Sequence, residues 1–465
     1  MDFKDIKVTY FLGIGGIGMS AIARYFNYIG LKVAGYDKTE TLLTRKLSEE
    51  GMLVHYSDDV DYLIMLEMDP AHTLVILTPA IPREHAEWAY LREHNFTIQK
   101  RSAVLGILSK AYQTIGVAGT HGKTTTSTMI AHILTNSEVG CNAFLGGVAT
   151  NYDSNLLVHR DTKKLLPQQQ FTVVEADEFD RSFLTLHPYI SIITSTDADH
   201  LDIYGEYESM QQSFLAYANR LVEGGTLFIK YGLNIINKVE VNYLTYGFDP
   251  AANAFGCNVQ INEEEHIFDL YFDGGIYINL SLGIPGLHNV ENAIAASAVC
   301  LLAGVTGDEL RNALATFKGV KRRFEYILNT DRTIFIDDYA HHPEEIRAIL
   351  TSVKRMYPHP KLVVAFQPHL FSRTRDFSDG FAETLSLADQ VFLLDIYPAR
   401  EQPVEGVNSQ MILNKMNIKN KVLCSKKELI ELLKEQRPTL FLTLGAGDID
   451  ALVQPIKEIL SEDEI

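Results

Sequence analysis

"GTHGKTTTST", residues 119–128, decides how this chain is read. It lies between an apolar run, "TIGVA" (114–118), and a segment whose Met129, Ile130, Ile133 and Leu134 recur on one helical face. Strand, glycine loop and helix in that order leave the first N–H groups of the helix unpaired and facing the space above the loop. Gly119, Thr120, Gly122, Lys123, Thr124 and Thr125 are therefore candidate ATP-binding residues. Lys123 can neutralise β- and γ-phosphate charge, and the Thr124 hydroxyl can reach a bound Mg²⁺. The generic pattern G-x-x-x-x-G-K-[ST] is not met, because Val117 stands where its first glycine belongs.

A second glycine loop, "GIGGIGMS" (13–20), comes earlier in the chain. Gly13, Gly15 and Gly18 fit G-x-G-x-x-G after the strand-like "VTYFL" and before a helix expected from about Met19 to Ile29. Gly16, Met19 and Ser20 complete the loop, and Asp37 closes the next strand, where a ribose-binding acid would sit. On its own the loop suits any diphosphate-bearing nucleotide, NAD included. A nicotinamide-dependent oxidoreductase would, however, leave the second loop without a purpose.

At 465 residues the chain has room for several domains of about 150 residues each. A net charge of -18 argues against a nucleic-acid backbone or an anionic membrane as the main partner. Cys141, Cys257, Cys300 and Cys424 show no paired spacing and read as reduced core residues. No apolar run approaches the roughly 18 residues of a membrane span, so no membrane insertion and a cytoplasmic location are expected.

Apolar runs alternating with helical segments make this an α/β chain with mostly parallel sheets. Three domains are expected: a Rossmann-like domain over 1–106, a central P-loop ATPase-like domain over 107–318, and a Rossmann-like domain over 319–465. The first break falls near Ser102 to Ala111. In the central domain "FTVVEAD", "SIITST" and "TLFIK" read as strands, and "NYDSNLLVHRDTKKLLPQQQ" (151–170) as a surface excursion. In the third, "TIFIDDY", "KLVVAFQ", "QVFLLDI" and "TLFLTLG" are strands running into polar residues, at the carboxyl ends where α/β sheets bind ligands.

"GTHGKTTT" resembles the ATP loop of the Mur ligase family, ATP-dependent enzymes that add amino acids to the peptidoglycan precursor. The resemblance continues in order through "EADEFDRSF" (175–183), "DADHLDIYG" (197–205), "GLHNVENAIAA" (286–296), "GVKRRFE" (319–325), "DDYAHHPEEI" (337–346), "FQPHLFSRTRDF" (366–377) and "DIYPARE" (395–401). "GIGGIGMS" is similar to the loop of the branch whose substrates are UDP-N-acetylmuramate and L-alanine; a relative that attaches a ready-made peptide to the same sugar, and a non-catalytic regulator on the same scaffold, stay open. The resemblance implies that one loop holds the UDP-sugar and the other ATP, in a monomer or homodimer.

Residue by residue it implies Lys123 and Thr124 at the phosphates, with Glu175 and His200 as Mg²⁺ ligands beside Thr124. His288 and Asn292 would face adenine, although Asn292 can also cap a helix. Arg323 and Asp338 would reach ATP from the C-terminal domain, and Tyr339, His341 and Arg373 would meet the amino acid. The catalytic set is Lys123, His341, His369 and Arg373, with either histidine able to serve as base for the amine. Two positions depart from the family pattern: Ser195 replaces an asparagine, and Leu370 replaces an arginine.

Overall fold

The computed structural model describes residues 5–461 apart from 163, 180, 198–203, 205, 262–265 and 400. His200 and most of the "DADHLDIYG" block lie outside the described residues. The chain forms two compact units, Met1–Lys318 and Gly319–Ile465.

The first unit opens with β1 (Val8–Leu12), β2 (Lys32–Tyr36), β3 (Leu53–His55), β4 (Thr73–Leu77) and β5 (Thr97–Lys100), all parallel in the order β3-β2-β1-β4-β5. Helices α1 (Ile17–Tyr28), α2 (Leu42–Glu49), α3 (Val60–Met65), α4 (Ala86–Glu93) and α5 (Arg101–Ala111) connect or follow them. Alternation along β1 explains the layers: Phe11 packs with Ile22 and Phe26 of α1, while Tyr10 and Leu12 pack with Leu63 of α3 and Leu91 of α4. Because successive crossovers leave β1 in opposite directions, a crevice opens beyond the carboxyl ends of β1 and β4. The glycine loop 13–16 lies there. The segment Ser102 to Ala111, where the first break is expected, is helical as part of α5, anchored by buried Val104 and Leu108 and by Gly106, where a Cβ would meet the Thr185 carbonyl at 2.6 Å.

A ten-stranded sheet follows: β6 (Gln113–Ala118), β7 (Asn142–Ala149), β8 (Ser154–Leu157), β9 (Phe171–Glu175), β10 (Ile190–Ile193), β11 (Thr226–Lys230), β12 (Tyr243–Gly247), β13 (Ala254–Ile261), β14 (His266–Phe272) and β15 (Gly275–Leu282). Its order is β15-β14-β13-β12-β11-β10-β6-β9-β7-β8; only β7–β8 and the β13–β14–β15 meander pair antiparallel. Helices α6 (Lys123–Thr135), α7 (Tyr207–Ala218), α8 (Leu287–Leu302) and α9 (Gly307–Thr316) cover it. α6 is buried nearly all round, Met129, Ile130, Ile133 and Leu134 included, because α8 packs across it.

The stretch 151–170 is not the expected surface excursion throughout. Its β8 carries Asn155, Leu156 and Leu157 into the interior, where the Asn155 amide donates to the Ile17 carbonyl (2.6 Å) and its oxygen accepts from Arg24 (2.5 Å). One fully satisfied asparagine thus joins the ten-stranded sheet to α1.

The second unit holds β16 (Glu325–Asn329), β17 (Ile334–Asp338), β18 (Leu362–Phe366), β19 (Gln390–Leu393), β20 (Lys421–Leu423) and β21 (Leu440–Leu444), in the order β16-β17-β21-β18-β19-β20 with β16 antiparallel. Asp338, Leu444 and Phe366 are in register, so Tyr339, Gly445 and Gln367 leave the sheet side by side. Helices α10 (Pro343–Met356) and α11 (Phe371–Asp376) start just beyond this edge. Among the described residues no helix is long and apolar enough to cross a membrane.

Candidate active site

β6 ends at Ala118, and the chain turns through Gly119 (φ +138°) and Gly122 (φ +80°) into α6. A side chain at Gly119 would collide with Thr194 and approach the Ser195 nitrogen to 2.8 Å, so the end of β10 shapes this loop. The Ser195 hydroxyl takes the His121 N–H at 2.7 Å and pairs with the Thr120 hydroxyl at 2.9 Å. Ser195, the departure from the family pattern, therefore holds the loop itself. Thr126 N–H bonds to the Gly122 carbonyl (2.9 Å), while the N–H groups of Lys123, Thr124 and Thr125 have no partner among the described residues. They open at the positive end of the α6 dipole, an arrangement that accepts phosphate oxygens.

Lys123 Nζ donates to the Gly119 carbonyl (2.7 Å) and to Glu178 Oε1 (2.8 Å), whose side chain is fully buried. Burial opposes the ammonium, but Glu178, Glu175 and Asp177 outweigh it and hold the Lys123 pKa above its ordinary value. Lys123 is thus a charged group kept on an internal anion. Glu178 escapes a reading of the sequence; its signal was a second glutamate inside "EADEFD". Glu175, at the end of β9, packs its carboxylate against Gly146, and Thr124, in the first turn of α6, is buried. Among the described residues, no group of three or more His, Cys, Asp or Glu could hold a metal ion.

α8 brings two further expected residues to this loop. The Cβ that Gly122 lacks would stand 2.9 Å from Asn292 Oδ1, so Asn292 lies against the phosphate loop. It caps nothing: the N-cap of α8 is Gly286. Exposed His288 folds over Gly286, and the protein packed around its ring, which disfavours the imidazolium, lowers its pKa.

In the N-terminal loop, Gly13 and Ile14 N–H both donate to the Tyr36 carbonyl (2.8 and 3.0 Å), and Gly15 N–H donates to Asp37 Oδ2 (2.7 Å). Met19 and Ser20 N–H close on Gly16, which leaves Ile17 and Gly18 N–H without a partner. The side chains of Met19 and Ser20 point away from the loop. Met19 is in the core, and the Ser20 hydroxyl donates to the Ile17 carbonyl (2.9 Å) and accepts from Asn155 (2.9 Å), fully buried. Both residues faced inward because a helix following a glycine loop must bury one side. In their place stands Arg101, from the first turn of α5, whose guanidinium lies directly on Gly18. Among the described residues its ion pair is with Asp177 at 3.8 Å, beyond hydrogen-bond reach. A cation held at the positive end of α1 is unfavourable until an anion lies between them.

In the second unit, Arg322 (φ +61°) and Phe324 (φ +50°) flank Arg323 in a strained turn. Asp338 fixes that turn: its carboxylate accepts Phe324 N–H (2.6 Å) and Ala340 N–H (2.7 Å), and burial pushes its pKa up to about 6. The acid expected to meet ATP is thus already used on backbone. Exposed Arg323 lies over the Tyr339 ring (5.2 Å) and makes no ion pair among the described residues. The Tyr339 and His341 rings meet edge-on at 5.2 Å, and His341 and His369 at 6.1 Å. Arg373 Nη1 is buried with no hydrogen-bond partner. Between His369 and Arg373, Leu370 holds φ +71° and ψ 138°, a conformation costly for any residue but glycine. Strain, an orphaned guanidinium and two histidines therefore share one corner of this unit.

Three family models cover the chain: the Mur ligase family catalytic domain over residues 8–113, the Mur ligase middle domain over 117–300, and the Mur ligase glutamate ligase domain over 322–447. The chain is 47% identical over 463 residues to the UDP-N-acetylmuramate--L-alanine ligase of Flavobacterium johnsoniae, covering 100% of both. It is 46% identical to that of Parabacteroides distasonis, covering 99% of this chain and 98% of the relative. Among solved structures, the UDP-N-acetylmuramate-alanine ligase MurC of Thermotoga maritima aligns with a TM-score of 0.80 at 28% identity, covering 98% of this chain and 99% of that one. The murein peptide ligase mpl of Psychrobacter arcticus shares the fold, with a TM-score of 0.72 at 22% identity over 98% of this chain and 99% of that one. The chain belongs to the Mur ligase family.

Proposed function

We propose that this protein joins the lactyl carboxylate of UDP-N-acetylmuramate to the amine of L-alanine at the expense of ATP, in the cytoplasm. What carries the reading is one unit with two glycine-capped helices, each with unpaired N–H groups and a cation beside them, Arg101 at α1 and Lys123 at α6. Two anionic nucleotides have separate seats. Residues 1–106 take the UDP-sugar, 107–318 take ATP, and 319–465 supply the amino-acid end.

A carboxylate is a poor electrophile, so its oxygen first takes the γ-phosphoryl group; the amine then attacks the acyl phosphate and phosphate leaves. Charge builds on the transferred group in the first step. The N–H groups of Lys123, Thr124 and Thr125, with the Lys123 ammonium, are aimed to meet it. The Thr124 hydroxyl and Glu175 carboxylate are hard oxygen donors that suit Mg²⁺, which would supply further neutralisation of phosphate charge. In this reading Arg373 pairs with the alanine carboxylate, and His341 or His369 receives the amine proton, supported by the buried Arg373 Nη1 and the adjacent histidine rings.

ADP release with UDP-N-acetylmuramate, ATP and Mg²⁺ should depend on L-alanine and yield a product heavier by one alanyl residue. Turnover only with a peptide, or none with any acceptor, would overturn the reading. Within it, Arg101→Ala should raise the KM for UDP-N-acetylmuramate by about 10- to 100-fold, the loss of one charge-assisted contact, while leaving the KM for ATP alone. A parallel rise in both constants would deny Arg101 a role at the sugar nucleotide.

A further inference from the structure

A buried polar cluster beneath the N-terminal glycine loop takes no part in the steps above. Glu87, in the first turn of α4, is fully buried. Its Oε2 accepts the Tyr10 hydroxyl at 2.6 Å, and its Oε1 accepts the Asp59 N–H at 3.0 Å. His55 Nε2 stands 2.8 Å from the Tyr10 oxygen and 3.4 Å from Glu87 Oε1. Tyr62 of α3 stacks on His55 at 4.0 Å, and Tyr36 of β2 meets the His85 ring at 4.4 Å. Asp58 accepts the N–H groups of Ala86 and Glu87 (2.9 and 3.0 Å) and lies 3.1 Å from His85. Tyr10, Tyr36, His55, Asp58, Asp59, Tyr62 and His85 are thus the ionisable groups that β1, β2, β3, α3 and the turn into α4 present to Glu87.

The same strand ends carry the loop. The Tyr36 carbonyl accepts both Gly13 and Ile14 N–H, the His55 carbonyl accepts Asp37 N–H at 3.0 Å, and Asp37 in turn accepts Gly15 N–H at 2.7 Å. Moving His55 or Tyr36 moves Asp37 and the glycines together.

We propose that Glu87 is a positioning residue for the sugar nucleotide: through Tyr10 and His55 it locks the ends of β1, β2 and β3 against α4 and so sets where Asp37 and the glycine loop stand. The inference rests on the assignment of that loop to UDP-N-acetylmuramate. Glu87 accepts from two donors; glutamine can still accept the Asp59 N–H, but its NH₂ then meets the Tyr10 oxygen, so Tyr10 must turn its proton toward His55 and the charge-assisted bond is lost. Protonation has a similar effect, because one oxygen then becomes a donor. Burial raises the Glu87 carboxyl to about 7 and lowers His55, so this change falls within reach of ordinary assays.

The test is UDP-N-acetylmuramate binding by calorimetry between pH 6 and 8, together with initial rates, on the full chain. Glu87→Gln should weaken Kd and KM for UDP-N-acetylmuramate about tenfold, one buried hydrogen bond's worth, with kcat and the KM for ATP within about twofold. Wild-type Kd should weaken as pH falls through about 7, and Glu87→Gln should lack this dependence. Tyr10→Phe should match the loss, and the double variant should add little to either. Unchanged Kd in folded Glu87→Gln, an equal rise in both KM values, or a pH dependence that survives the substitution would overturn the proposal. Absence of saturable binding by the wild type would instead overturn the assignment of the loop, and is seen before any variant is made.

Discussion

Lys123→Met should lower kcat by about 10³ at saturating ATP while UDP-N-acetylmuramate still binds, because it removes the one side-chain cation built into the ATP loop. The same substitution should make stability depend on pH. Lys123 is the partner of a carboxylate, Glu178, whose side chain is fully buried. Burial already raises the Glu178 pKa, and Lys123 is the main influence pulling it down. Without the lysine that pKa rises further. A carboxyl whose folded-state pKa is raised contributes stability that is present below its unfolded pKa and lost as pH rises through the folded one. The variant should therefore unfold close to wild type near pH 5 and progressively earlier toward pH 8, with at most about 3–5 kcal/mol lost. Thermal unfolding across that range measures it. Lys123→Met combined with Glu178→Gln should recover the stability and none of the activity. A deficit flat in pH would mean that Glu178 does not depend on Lys123 for its charge.

That pairing marks where the sequence stopped being readable. Gly119, Gly122 and Thr124 were legible because a strand, a glycine turn and a helix N-terminus are adjacent in the chain, and their geometry follows from local rules. Asp37, expected to meet a ribose, closes the strand after α1 by the same local rules, and its carboxylate accepts the Gly15 N–H. Glu178, Arg101 and Ser195 were not legible, since each acts on a glycine loop that lies far from it in sequence. For Met19 and Ser20 the sequence did not show which way the side chains turn. They follow the glycines, yet a helix has two sides, and the side chosen here meets Asn155 and the core. Asn155 hid in a polar stretch that looks solvated until its partners Arg24 and Ile17 are known. The β13–β14–β15 meander went unseen because its outward positions, such as Ile276 and Ile278, are as apolar as a buried strand's and blur the period-two pattern.

At the amino-acid end, His341→Gln should lower kcat/KM for L-alanine by about 10²–10³ without changing ATP affinity, the range for loss of a general base. The geometry favours His341 over His369 as that base. His341 Nδ1 is 2.9 Å from the Tyr339 carbonyl, which can only accept, so Nδ1 carries the proton and Nε2 keeps its lone pair. Burial lowers the imidazole pKa; Glu345, 3.5 Å away, opposes that shift, and Arg373 and Arg323 reinforce it. A histidine lowered from 6.5 is neutral at pH 7 and ready to take a proton from an ammonium. The acid limb of the wild-type rate profile should accordingly lie below pH 6.5. Glu345→Gln removes the group that holds the imidazole pKa up, so the limb should move lower still, while His341→Gln should abolish it. If His369→Gln abolishes the limb and His341→Gln spares it, the base is His369, and His341 serves to orient the Tyr339 turn, where the Asp338 carboxylate ties Ala340 to Phe324.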